Sequence, residues 1–138
     1  MSVFIDTNIF AAAKLKNDID HERGKGLLEE ALLGNYGQVL TSDYIFDEII
    51  TLLNIRSKKH QLVFEFGNSI LTSASIDIIK VNDEIFEAAW DKFGRFKDKL
   101  LSFTDCTTLV IIEKLKIEKI MSFDKHFDGI SPEIIRLF

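Results

Sequence analysis

Two spacings of apolar residues run through this chain, one with the period of a strand and one with that of a helix. Val3 to Ile5 is a short apolar run that ends in Asp6, Thr7 and Asn8, and a helical segment, Ile9 to Leu15, follows at once. Asp20 to Leu33 is charged but carries Leu27, Leu28, Ala31 and Leu32 at helical spacing, and Gly34 and Gly37 close it. Gln38 to Thr41 predicts a strand. Ser42 then caps a helix over Asp43 to Asn54, with Asp43 in its first turn. Lys58 to Leu71 predicts a helix through Leu62, Phe66 and Ile70, and Ser75 to Val81 alternates as a β-branched strand. Asn82 caps a helix whose Phe86, Ala89, Phe93 and Phe96 recur every three or four residues. Ser102 or Thr104 caps a strongly apolar helix that reaches Leu115. Lys119 to Ser122 and Glu133 to Phe138 predict the last strands. Strands alternating with helices imply an α/β fold, a parallel sheet covered on both faces.

Composition narrows the picture. At 138 residues the expectation is one domain spanning 1–138, and 46% hydrophobic residues suffice for a core. No apolar run approaches the roughly 18 residues of a membrane span, and the first residues lack the charged and apolar regions of a secretory signal. Cys106 has no second cysteine to pair with, so a reducing, cytoplasmic setting is expected. One cysteine and three scattered histidines do not make a standard zinc site. The net charge of −5 argues against a non-specific nucleic-acid coat. It leaves a nuclease open, because bound cations reverse the local sign of an acidic pocket.

Among 22 acids, position selects the informative ones. Asp6 ends a strand just before a helix, at the carboxyl edge where open α/β sheets bind ligands. Glu48 flanks the helical stripe Ile45, Ile49, Leu52 and Leu53, whereas Asp47 points to water. Asp105 stands in the first turn of a helix that is apolar nearly all round, in line with Leu109 and Ile112, so its carboxylate faces inward. Asp124 follows the strand Lys119 to Ser122. Two strand-end aspartates and two inward helix acids are therefore expected to converge. Clustered carboxylates raise one another's pKa unless a cation joins them, and Mg²⁺ or Mn²⁺ suits oxygen ligands. Such a site supports phosphodiester hydrolysis.

The ordered set Asp6-Thr7-Asn8, Glu48, Ser102-Phe-Thr-Asp105-Cys and Ser122-Phe-Asp124-Lys-His-Phe127 resembles the PIN-domain nucleases, and within them the VapC toxins of toxin–antitoxin pairs. The likeness covers essentially the whole chain. It implies a three-layer α/β/α sandwich around a mainly parallel sheet, and Mg²⁺- or Mn²⁺-dependent cleavage of RNA. It assigns metal binding to Asp6, Glu48, Asp105 and Asp124, and polar support to Thr7 and Asn8. Ser122 stands where many relatives have threonine and keeps the hydroxyl. The likeness also implies an antitoxin partner and a homodimer.

Competing classes remain. A catalytically inactive PIN-like module acting through protein or RNA contacts would typically have lost the acids, and all four are here. A phosphoacceptor receiver domain needs an early acidic pair, and a haloacid-dehalogenase phosphatase needs a second aspartate where Asn8 stands. His126 reads as a surface or turn residue, Cys106 as core, and the Phe86–Phe96 series as core packing rather than a base-stacking platform. Two basic runs, Arg56-Ser-Lys58-Lys59-His60 and Lys92 through Lys99, read as solvated faces that could also touch RNA phosphates.

Overall fold

The computed structural model describes residues 1–130 and 135–137. Five strands form one all-parallel sheet: β1 (Ser2–Ile5), β2 (Gln38–Ser42), β3 (Ile76–Ile79), β4 (Lys119–Met121) and β5 (Ile135–Leu137). Their spatial order is β3-β2-β1-β4-β5, with Val3 opposite Val39 on one side and Phe4 opposite Ile120 on the other. Six α-helices connect them: α1 (Thr7–Lys14), α2 (His21–Leu32), α3 (Asp43–Ser57), α4 (His60–Leu71), α5 (Asp83–Arg95) and α6 (Phe103–Leu115). The crossovers from β1 to β2 and from β2 to β3 step one way along the sheet, and the crossover from β3 to β4 steps back past β1. Right-handed connection therefore puts their helices on opposite faces. In agreement, α1 packs on α2 and α3, and α5 packs on α6. The order of strands reverses between β1 and β4, and there the carboxyl ends open a crevice.

The core is made where the sequence is continuously apolar. Val3, Phe4 and Ile5 are fully buried, as are Leu109, Ile111 and Ile120. Helix α6 is buried from Cys106 to Ile112, in keeping with its apolar circumference. Gly24 lets α2 lie against α1: a Cβ there would stand 2.8 Å from the Ala12 Cβ and 3.2 Å from the Ala13 nitrogen. Among the described residues, no helix is long and apolar enough to cross a membrane.

Several element edges differ from the pattern-based expectation. Helix α1 starts at Thr7, two residues early, because Asp6 caps it. Helix α3 runs a turn past Asn54 to Ser57 and stops at Lys58 in a left-handed conformation, φ 56°. On α4 the buried stripe is Val63, Gly67 and Ile70, so Leu62 faces solvent. Strand β5 lies inside the predicted Glu133–Phe138, of which residues 133, 134 and 138 are outside the described residues.

The larger correction concerns α5. Its buried positions are Ile85 and Ala89, with Lys92 and Phe96 partly covered below them. Phe86 and Phe93 are 46% and 44% exposed and are not core. Two apolar stripes lie one residue apart on this helix, both at helical spacing. The expected series holds at Ala89 and in part at Phe96 and fails at Phe86 and Phe93, because the face of α5 that packs runs through Ile85 and Ala89.

Candidate active site

Four acids from four places in the chain meet at the carboxyl edge of the sheet. Asp6 leaves β1 where its backbone nitrogen still bonds to the Met121 carbonyl at 3.0 Å, so the neighbouring strand β4 fixes its position. Its side chain is buried. One carboxylate oxygen accepts from the Thr7 nitrogen at 2.8 Å, as a helix cap does. The other accepts from the Ser122 hydroxyl at 2.7 Å.

Around Asp6 the polar residues interlock. Asn8 donates to Ser122 Oγ at 3.2 Å, and its own oxygen accepts from the Phe123 nitrogen at 3.0 Å. Ser122 Oγ also accepts from the Asp124 nitrogen at 3.0 Å. These bonds staple the segment after β4 to the start of α1, and they place Asp124 beside the pocket. Thr7 Oγ1 donates to Glu48 Oε1 at 2.6 Å, which turns the α3 acid toward Asp6. Asp105 is held by a capping box at the start of α6: its nitrogen donates to Ser102 Oγ, and its carboxylate accepts from the Ser102 nitrogen, both at 3.0 Å. Asp124 Oδ1 accepts from the backbone nitrogen of His126 at 2.9 Å, and the imidazole Nδ1 lies 3.0 Å from the same oxygen.

The electrostatics record how close these groups are. Burial pushes the Asp6 carboxyl up to about 7 from 3.8. Bonds from Ser122 and Thr7 pull it partly back, while Asp105 and Glu48 add repulsion. Glu48 is raised by burial first, then by Asp105 and Asp47, against the Thr7 bond. Asp105 is raised by burial and by Asp124, and is lowered by its Ser102 bonds and by His126. Asp105 thus feels all three of the other acids and sits at the centre of the group.

The structure therefore brings together Asp6, Glu48, Asp105 and Asp124, with Thr7, Asn8 and Ser122 bonded to them. His126 is exposed in the short turn Lys125–Phe127, the surface or turn position expected of it, and it lies beside Asp124. Asp105, Asp124 and His126 can each bring one ligand atom within 4.8 Å of the others. The one sequence signal for it was the spacing Asp124-Lys125-His126 in a turn, which suits many surface loops equally. At the rim, the Arg23 guanidinium lies 4.4 Å from the centre of the Phe123 ring, a contact between α2 and the segment after β4 that no local pattern foretells. The donors are carboxylates with one imidazole. That set fits a hard or borderline divalent ion, whose charge would offset the repulsion that raises Asp6.

Comparison with known proteins gives the family and the fold. A PIN domain family model matches residues 3–131. A VapC ribonuclease of Archaeoglobus fulgidus is 30% identical over 128 residues, 92% of this chain and 80% of that protein. The 23S rRNA-specific endonuclease VapC20 of Mycobacterium tuberculosis is 28% identical over 127 residues, 92% of each chain. The crystal structure of that tuberculosis toxin, described as cleaving the sarcin–ricin loop, superimposes with a TM-score of 0.78 at 27% identity, covering 89% of this chain and 90% of the other.

Proposed function

The chain belongs to the PIN-domain family, and from that premise we propose that it is a divalent-metal-dependent endoribonuclease, the toxin of a toxin–antitoxin pair. The observation that carries the reading is the buried Asp6, raised to about 7 by its surroundings and facing Glu48 and Asp105. A structural helix cap has no need of that company, whereas a cation-holding cleft does. Similarity to VapC ribonucleases supports RNA as substrate.

In this reading Asp6, Glu48, Asp105 and Asp124 hold Mg²⁺ or Mn²⁺. The bound ion supplies activation of the attacking water and stabilisation of charge on the leaving oxygen. The protein's own part is preorganisation. Thr7 fixes Asp6 through its backbone and Glu48 through its hydroxyl, so one residue sets the spacing of two acids. Ser102 holds Asp105 through the two bonds of the capping box. Ser122 and Asn8 fix Asp124 relative to Asp6. Supporting bonds of this kind commonly change affinity or activity by about 10- to 100-fold when removed.

Incubation with ribosomal RNA tests the proposal. Cleavage should stop in EDTA and return with excess Mn²⁺, and Asp105→Asn should abolish both the cleavage and the growth arrest caused by expression. Cleavage that survives chelation, or equal growth arrest by Asp105→Asn, would refute it.

A further inference from the structure

The turn after β4 is held from several sides although part of it is exposed. Ser122 Oγ accepts from the Asp124 nitrogen at 3.0 Å, and Asp124 Oδ1 accepts from the His126 nitrogen at 2.9 Å. Phe127 is 1% exposed and anchors the turn in the core. Beyond it Asp128 pairs with Arg136 of β5 at 2.6 Å, and the same guanidinium donates to the Ser122 carbonyl at 3.2 Å. Between these anchors His126 brings a ring nitrogen to Asp105 and Asp124, with the three ligand atoms within 4.8 Å of one another. Among the described residues neither His21 nor His60 belongs to such a group.

The imidazole is set as a ligand would be. Its Nδ1 stands 3.0 Å from Asp124 Oδ1. A carboxylate oxygen only accepts, so the neutral ring carries its proton on Nδ1 and keeps its lone pair on Nε2. Metal-bound histidines show the same division, with one nitrogen on the ion and the other donating to a carboxylate. Both His126 contacts fall on Asp124 Oδ1, and the capping-box bond from the Ser102 nitrogen falls on Asp105 Oδ2. Each carboxylate thus keeps an oxygen outside these bonds.

We propose that His126 is itself a ligand of the divalent ion, through a ring nitrogen beside Asp105 and Asp124, and that this nitrogen makes the cleft select Mn²⁺ over Mg²⁺. Carboxylate oxygens suit both ions, whereas imidazole suits first-row transition ions and is a poor match for Mg²⁺, a hard ion that prefers oxygen and keeps several waters. Asp6 and Glu48 offer oxygen only, so the nitrogen enters the cleft on the Asp124 side. Without His126 the remaining donors are the all-oxygen kind that Mg²⁺ fills as readily. The proposal rests on the metal-dependent reading of the site and not on which polymer is cleaved.

Mn²⁺ is the probe, because its electron-spin-echo modulation registers a directly bound nitrogen. The full chain, loaded with Mn²⁺ in the absence of RNA, should show nitrogen modulation, and labelling its histidines with the heavier nitrogen isotope should change the pattern without any substitution. His126→Ala should lose the modulation although His21 and His60 remain. Titration calorimetry should find Mn²⁺ binding weakened by more than the about tenfold that a lost supporting bond can cost, with Mg²⁺ binding nearly unchanged. Bound Mn²⁺ without nitrogen modulation overturns the proposal. So does equal weakening of both ions by His126→Ala, which would mean that the ring only steadies Asp124. RNA cleavage that still requires Mn²⁺ would, in either case, keep the ribonuclease reading. Modulation that disappears with His126, in a chain whose wild type cleaves no RNA, would uphold the ligand and remove that reading.

Discussion

Replacing Asp6 by asparagine should make the metal-free protein more stable at alkaline pH, and its size follows from the pocket. The carboxyl is raised from 3.8 to about 7, chiefly by burial. Between those two pH values the folded chain holds a proton that the unfolded chain has released. Stability therefore falls as pH rises through that window, is flat above it, and carries no such cost below 3.8. Each pH unit in the window costs about 1.4 kcal/mol, so roughly 4 kcal/mol accumulates by pH 8. Asparagine carries no charge and removes that cost. It also changes the bond with Ser122, whose hydroxyl now donates to the carboxylate and would lose its acceptor, a loss of about 1 kcal/mol. The net gain at pH 8 is about 2–3 kcal/mol, near 10 °C in Tm for a chain of this size. Thermal unfolding in EDTA at pH 5 and pH 8 measures it. Asp6→Asn should unfold well later than wild type at pH 8 and only slightly later at pH 5. A smaller pH slope should persist, because Glu48 and Asp105 are raised in the same sense. Added Mn²⁺ should reverse the ranking at pH 8, because only the wild type gains a ligand that binds the folded state. The same pH dependence in both chains would refute the claim that Asp6 is ionised at a cost.

Other substitutions probe the supports separately. Thr7→Val keeps the backbone cap on Asp6 but removes the hydroxyl that holds Glu48 at 2.6 Å. It should lower RNA cleavage about 10- to 100-fold and move the acid limb of the pH–rate profile to higher pH, because the Thr7 bond is what lowers Glu48. Ser122→Ala removes a buried hydroxyl that bonds Asp6, Asn8 and the Asp124 nitrogen, and should cost about 1–3 kcal/mol in urea unfolding. Gly24→Ala drives a methyl group to 2.8 Å from the Ala12 Cβ. Despite the better helix propensity of alanine, it should destabilise by about 1–2 kcal/mol in the same measurement.

Much of the site was legible because its signals are local. An aspartate that ends an apolar run and precedes a helix, as Asp6 does, must leave the sheet at its carboxyl edge. A serine three residues before Asp105 marks a helix start, and the capping box is there. The side of α3 that Glu48 occupies followed from Ile45, Ile49 and Leu53, all buried. The turn position of His126 was legible, but its approach to Asp105 was not, because that depends on where α6 begins relative to the turn after β4.

The sequence by itself determined what each segment becomes, since period, caps and turn residues act over a few positions and hardly depend on the rest of the fold. It determined that four acids stand at element ends with inward or edge positions. Tertiary structure alone decided which ends meet. The order β3-β2-β1-β4-β5 sets β1 beside β4, so Ser122 reaches Asp6 across 116 positions of chain. It likewise decided which stripe of α5 faces α6. Ala89 went inward and Trp90 outward, because burial depends on the shape of the opposing surface as well as on apolarity.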